Sequence, residues 1–172
     1  AGMIDQRIFS VGIGWESGME NQQADCVAIG AQSGRTNQRA LSTALGAGAG
    51  SKNQDFASVA VGWAAAECNQ GLAAVAVGPK AGQQSQKAFA TAIGTNAGLQ
   101  NQGNFGIAIG TAAASSLQGE KAIAIGFEAS QTHQSDDAIA IGNSSGKDNQ
   151  QQAAIAIGRN AGTGGQGMEA IA

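Results

Sequence analysis

The chain has 172 residues, of which 27 are glycine and one is proline, with no tyrosine and 12% charged side chains, a composition that argues against a conventional globular core. Its 9 basic and 12 acidic residues are scattered and give a formal net charge of −3, so nucleic acid and anionic membranes are disfavoured as partners. No apolar run approaches the ~20 residues that cross a bilayer, and no basic segment followed by an apolar stretch opens the chain, so membrane insertion by this segment is not expected.

Taken from the N-terminus, the first recognisable element is Val11-Gly12-Ile13-Gly14, and it returns every 16 residues without insertion. Glycine recurs at Gly14, Gly30, Gly46, Gly62, Gly78, Gly94, Gly110, Gly126, Gly142 and Gly158. Eight residues before each stands a glutamine: Gln6, Gln22, Gln38, Gln54, Gln70, Gln86, Gln102, Gln118, Gln134 and Gln150, with Gln166 continuing the series. Between the two columns, β-branched and small residues alternate over four positions, as in Ala122-Ile123-Ala124-Ile125. Alternation of period two predicts a short strand, and the recurring glycine a sharp corner or close backbone approach.

One 16-residue unit cannot bury an apolar face by itself, whereas parallel stacking sets like residues over like at ~4.8 Å per rung. The predicted fold is therefore all-β: a single parallel β-solenoid, or β-roll, over residues 1–172, with ten to eleven rungs and a length of roughly 50 Å. Val11, Val27, Val59, Val75, Ile107, Ile123, Ile139, Ile155 and Ile171 form one ladder. Ile13, Ile29, Leu45, Val61, Val77, Ile93, Ile109, Ile125, Ile141 and Ile157 form a second, and these two ladders are the expected core. The glutamine column is expected to stack as a structural ladder whose amides bond to the rungs above and below.

The small residues that alternate with the ladders, Ala28 through Ala156, point to the other side of the same strand, so the strand reads as apolar on both faces. Association between coils is the expectation, most simply a homotrimer in which alanines let the backbones approach; a monomer with a flat alanine surface is the alternative.

The columns just after the glutamine change character along the chain. Leu41, Phe56, Leu72, Phe89 and Phe105 give way to Glu120, Lys121, Asp136 and Asp137, a half-buried corner that could also contact a partner. Trp15, Trp63 and Phe127 follow a corner glycine in a column otherwise ranging from Pro79 to Arg159, so exposure and partner contact are expected there. Ala1-Gly2 occupies the alanine-glycine columns and Ile171-Ala172 stops within the strand motif. No capping unit is therefore expected, and the array reads as a piece of a longer one or as a unit that adds end to end.

Residues that could carry chemistry are few. His133 falls in a column mostly occupied by asparagine (Asn21, Asn37, Asn53, Asn69, Asn101, Asn149) and reads as a turn residue. Glu120 and Asp136 would stack roughly 5 Å apart, near the separation of a retaining glycosidase pair, but read as ordinary surface charge beside an opposed Lys121 and Asp137. Cys26 lies in a small-residue column and Cys68 in a corner column more than two rungs away, so neither a disulfide nor a metal site is expected. Gly46 to Gly50 lacks the lysine and helix start of a phosphate loop, and Asn143-Ser144-Ser145 is a glycosylation sequon. No catalytic residue, metal or cofactor is predicted.

The iterated Ala-Ile-Ala-Ile-Gly-x-x-Ala motif, seen at 122–129 and 154–161 and with serine in its last position at 138–145, resembles the head repeats of YadA-like trimeric autotransporter adhesins and similar arrays in viral and phage fibres. The resemblance covers nearly the whole chain. It implies a trimerised left-handed parallel β-roll at an outer surface, cell or virion, binding host or matrix components. The unvarying period and the glutamine column are not part of that motif, and stacked amides are also similar to curli-type amyloid subunits, which polymerise end to end. Ice binding is a third class; it favours an aligned hydroxyl array, and only Thr43 and Thr91 stand in the strand ladders.

Overall fold

A computed structural model describes residues 4–172. The described residues are all-β, and every named strand is three residues long. The chain winds as a parallel β-solenoid with two faces. The first face is a ten-stranded sheet built from β1 (Val11–Ile13), β3 (Val27–Ile29), β5 (Thr43–Leu45), β7 (Val59–Val61), β9 (Val75–Val77), β11 (Thr91–Ile93), β13 (Ile107–Ile109), β15 (Ile123–Ile125), β16 (Ile139–Ile141) and β17 (Ile155–Ile157). The second is a seven-stranded sheet of β2 (Glu20–Gln22), β4 (Thr36–Gln38), β6 (Lys52–Gln54), β8 (Cys68–Gln70), β10 (Gln84–Gln86), β12 (Gln100–Gln102) and β14 (Ser116–Gln118). Every pairing is parallel and offset by one repeat: Val27 faces Thr43, Ala28 faces Ala44 and Ile29 faces Leu45. Ile171 bridges Ile155 at the far end. Ala1-Gly2, assigned above to the alanine-glycine columns, lie outside the described residues.

Each coil closes within 16 residues because four or five of its positions take positive φ: Gly14, Glu16, Gly18, Asn21 and Asp25 in the coil from Gly14, but only Gly126, Glu128, Ser130 and Asp137 in the coil from Gly126. In four of the five columns the positive-φ residue's N–H points to the preceding rung, as Gly30 to Ile13 O and Gln32 to Trp15 O, while that of Gly18 donates forward to Ser33 O, so the corners remain in the inter-rung network. Asn21 donates back to Ile4 O and Asp25 to Ile8 O, while their neighbours Glu20 and Gln23 donate forward to Arg35 O and Gln38 O. A left-handed non-glycine residue costs roughly 1–2 kcal/mol, and asparagine bears it best, which is the local reason for the asparagine column. The cost is offset by leaving few corner amides unpaired.

The corner glycine column is the most constrained. Its φ lies between +121° and +131°, and from Gly14 to Gly142 an added Cβ would sit 2.4–2.9 Å from the carbonyl of the glycine one rung on. Both the backbone angle and the close approach require a residue without a side chain.

The location of the core differs from the expectation. Alanines of the strand centres, from Ala28 to Ala156, are fully buried, while the β-branched ladders on either side of them are half-buried or exposed. The expected trimer contact through alanine, and the alternative of a monomer with a flat alanine surface, are both ruled out by this inversion, since those methyls fill the inside of the coil. The physical cause is the width of the coil. Two sheets joined by tight corners leave room for one long side chain per rung and otherwise only for alanine, serine or cysteine. The long side chain is the glutamine: Gln22, Gln38, Gln54, Gln70, Gln86, Gln102 and Gln150 are the largest fully buried side chains.

Candidate functional site

Three features run along the coil: the buried glutamine column, the outward apolar face and, from Asp5 to Asn104, an open polar groove.

The glutamine column forms the expected ladder. Each amide does more than bond to its neighbour: it also gives main-chain carbonyls inside the coil a donor, in several cases beside the ladder N–H they already accept. Gln38 Nε2 shares its two N–H groups among three acceptors, Val27 O at 3.0 Å, Ser42 O at 3.3 Å and Gln54 Oε1 at 3.1 Å, and the same trio recurs at Gln54, Gln70, Gln86, Gln118, Gln134 and Gln150. Two steps are missing: Gln6 bonds to Ser10 O and Gln102 to Thr91 O and Gly106 O, and the buried Gln22 Oε1 and Gln118 Oε1 have no partner. The interior is thus a hydrogen-bonded polar core, satisfied by a residue that is both donor and acceptor.

On the ten-stranded face, Val, Ile and Leu side chains point away from the coil in two columns, one unbroken from Ile13 to Ile157 and the other interrupted by Thr43 and Thr91. Ile13 is 58% exposed and Ile157 60%, with the inner rungs half-buried by their own neighbours above and below. At one edge stand Trp15, Trp63 and Phe127, all exposed, with Lys80 Nζ 5.0 Å from the Trp63 ring centroid. At the opposite corner stand Phe56, Phe89 and Phe105, also exposed, and the last two stack across adjacent rungs with centroids 5.1 Å apart and planes 7° from parallel. Fully burying a residue of this type is worth ~1.5–3 kcal/mol, and the isolated coil obtains only part of that.

The third feature was not foreseen. The asparagine column, read from sequence as turn residues, is a second amide ladder on the outside. Asn21 Nδ2 donates to Asn37 Oδ1 at 3.2 Å, Asn37 to Asn53 at 3.0 Å and Asn53 to Asn69 at 3.0 Å. It borders a groove of about 840 Å³ whose other wall includes Arg39, Asp55 and Lys87. Recurrence at 16 was the available signal; preference for left-handed φ explained the asparagines without invoking their amides.

The remaining candidates fall as follows. His133 is exposed, and the second sheet has ended as regular strand by that rung, leaving only bridges such as Gln118 to Gln134. The Asp136 carboxylate accepts the Glu120 backbone N–H at 2.8 Å. Lys121 pairs with Glu120 on its own rung at 3.4 Å, not with Asp137 as expected. Both cysteines are free: Cys26 is buried inside the coil, with Sγ 2.9 Å from Arg39 O, and Cys68 opens strand β8 instead of lying at a corner. Burial and the nearby Glu67 push the Cys68 thiol up from its ordinary value, outweighing Lys52. A thiol reagent at neutral pH should therefore label Cys68 more slowly than a free cysteine, and Cys26 only on unfolding; mass spectrometry of timed labelling would show prompt modification of Cys26 if the interior were open. Among the described residues no cluster of three metal-ligating side chains occurs, and no helix is long and apolar enough to cross a membrane.

No protein-family model, curated protein or solved structure matches the chain.

Proposed function

We propose that this solenoid is a non-enzymatic structural element of an extracellular or virion-surface fibre or adhesin, and that it self-associates laterally through the β-branched face. The observation that carries the reading is the unbroken outward ladder of Val, Ile and Leu on the ten-stranded sheet. Strands of three residues stacked ten deep span roughly 10 by 45 Å, or about 450 Å² of flat apolar surface, within the range of the largest patches on soluble monomers. Two such faces in contact, with the corner aromatics lapping over the edges, bury about 1,000 Å², which reaches the threshold of a specific interface. The resemblance to trimeric adhesin heads favours three coils around one axis.

Light scattering on the purified chain should give a discrete species near three chains. Ile93→Lys together with Ile109→Lys, both outward-facing, should return it to a monomer while leaving the circular dichroism unchanged. A wild-type monomer at high concentration would end the lateral reading.

A second reading is favoured by the two parallel amide ladders. In a curli-type extracellular filament the same ladders continue across chain ends, and polymerisation is itself the function. Open-ended filaments in negative stain, insensitive to the two lysines, would establish that reading in place of the first.

A further inference from the structure

We infer that the groove beside the asparagine ladder is a binding site for a neutral linear polysaccharide laid parallel to the solenoid axis. The groove runs from Asp5 and Arg7 to Asn104, seven rungs, or about 30 Å at ~4.8 Å per rung. All four members of the continuous asparagine run, Asn21, Asn37, Asn53 and Asn69, line it and are exposed. Stacking pins their amides in one orientation. Each Nδ2 that donates along the ladder keeps a second N–H, and each Oδ1 has a further lone pair. The groove therefore offers a donor and an acceptor on each of its four asparagine rungs, held in place before any ligand arrives, which lowers the ordering cost of binding.

Charge and period decide the ligand class. The acidic and basic lining residues nearly cancel: Arg39 and Asp55 neutralise one another in an ion pair of 2.9 Å, leaving Arg7 and Lys87 against Asp5. A polyanion or polycation finds no matching field there. An extended peptide presents like groups every ~6.8 Å, out of step with rungs at ~4.8 Å, and running along the axis it cannot add a strand to either sheet. A chain of pyranose rings repeats at close to one rung and carries hydroxyls, each both donor and acceptor, to match the amides. The run ends at Asn69, two rungs before the groove does: the same column holds Ser85, Asn101, Leu117 and His133 further on, and the stretch around Leu117 and His133 borders a separate, smaller depression.

Left-handed φ alone explains asparagine in this column, so the test must separate binding from folding. Exchanging Asn37 and Asn53 for aspartate keeps residues that tolerate that φ but removes two donors and places like charges on adjacent rungs. This inference names a ligand for the surface-fibre reading and in that sense rests on it, yet the two fail separately, since one is read by mass and the other by retardation. The full chain would be run in native gels containing hydroxyethyl cellulose, glucomannan, heparin or gelatin. Retardation by a neutral glycan, unaffected by salt and weakened about tenfold in Asn37→Asp/Asn53→Asp of unchanged circular dichroism, is the expected result. Three outcomes would overturn it: no retardation by either neutral glycan, equal retardation of the variant, or retardation only by heparin or gelatin.

Discussion

Replacing Gly94 by alanine should destabilise the chain by about 3 kcal/mol or more and lower its melting temperature by roughly 6–12 °C. Two independent costs combine at that position. The φ of +125° is one that residues with a side chain rarely adopt, and the new methyl carbon would lie 2.9 Å or less from the backbone of Gly110. The neighbour cannot yield, because it is the main chain of the next rung and is held by its own ladder bonds. Two other glycines separate the costs. Gly158 has φ +121° but nothing within 4 Å of an added Cβ, so Gly158→Ala should show the backbone cost alone; Gly167 has neither constraint, and Gly167→Ala should be near neutral. Thermal melts of the three variants should rank in that order. Because rungs contact only their neighbours, the Gly94 variant should also broaden the transition as the two halves uncouple. Equal melting of Gly94→Ala and Gly167→Ala would refute the close stacking of corners.

The second large effect is expected from Gln86→Leu, and its direction is opposite to what a hydrophobic-core argument gives. Leucine is more apolar and of similar volume, and the site is 1% exposed. The substitution nevertheless leaves the buried Gln102 Oε1 without its donor, breaks the bonds that Gln86 Nε2 makes to Val75 O and Ala90 O at 2.8 and 3.1 Å, and removes the acceptor used by Gln70. At ~1–3 kcal/mol for the one acceptor left unpaired and ~1 kcal/mol for each of the two carbonyl bonds lost, a loss of about 3–5 kcal/mol is expected. Equilibrium urea unfolding of the variant would measure it, and an unchanged midpoint would mean that the ladder is incidental to stability. The same substitution at Gln6, which is exposed and bonds only to Ser10 O at 3.1 Å, should cost far less.

Much of this architecture could be read directly from residue spacing. A period of 16 held without a break leaves parallel in-register stacking as the arrangement that puts glycine on glycine and glutamine on glutamine, and strand alternation places Val27 and Ile29 on the side opposite Ala28. The amide ladder follows from the same register, since identical side chains on successive rungs lie within bonding reach.

Which side of the strand is inside was not legible, because alternation is symmetric: it separates two faces without saying which is buried. Hydrophobicity pointed to isoleucine and valine, and the structure buries alanine. The deciding quantity is the space left between two sheets joined by corners with four or five positive-φ residues per coil, a property of the closed coil and of no single residue. That space admits one glutamine and a few small groups, so the larger apolar side chains must face outward. The groove was hidden for a related reason. Asparagine suits a left-handed corner, so its recurrence seemed explained until the closed coil set Asn21, Asn37, Asn53 and Asn69 in bonded register along an open channel. Sequence determined by itself the repeat, the parallel register and the glutamine ladder; the tertiary structure alone decided inside from outside, because that choice rests on the coil's internal width.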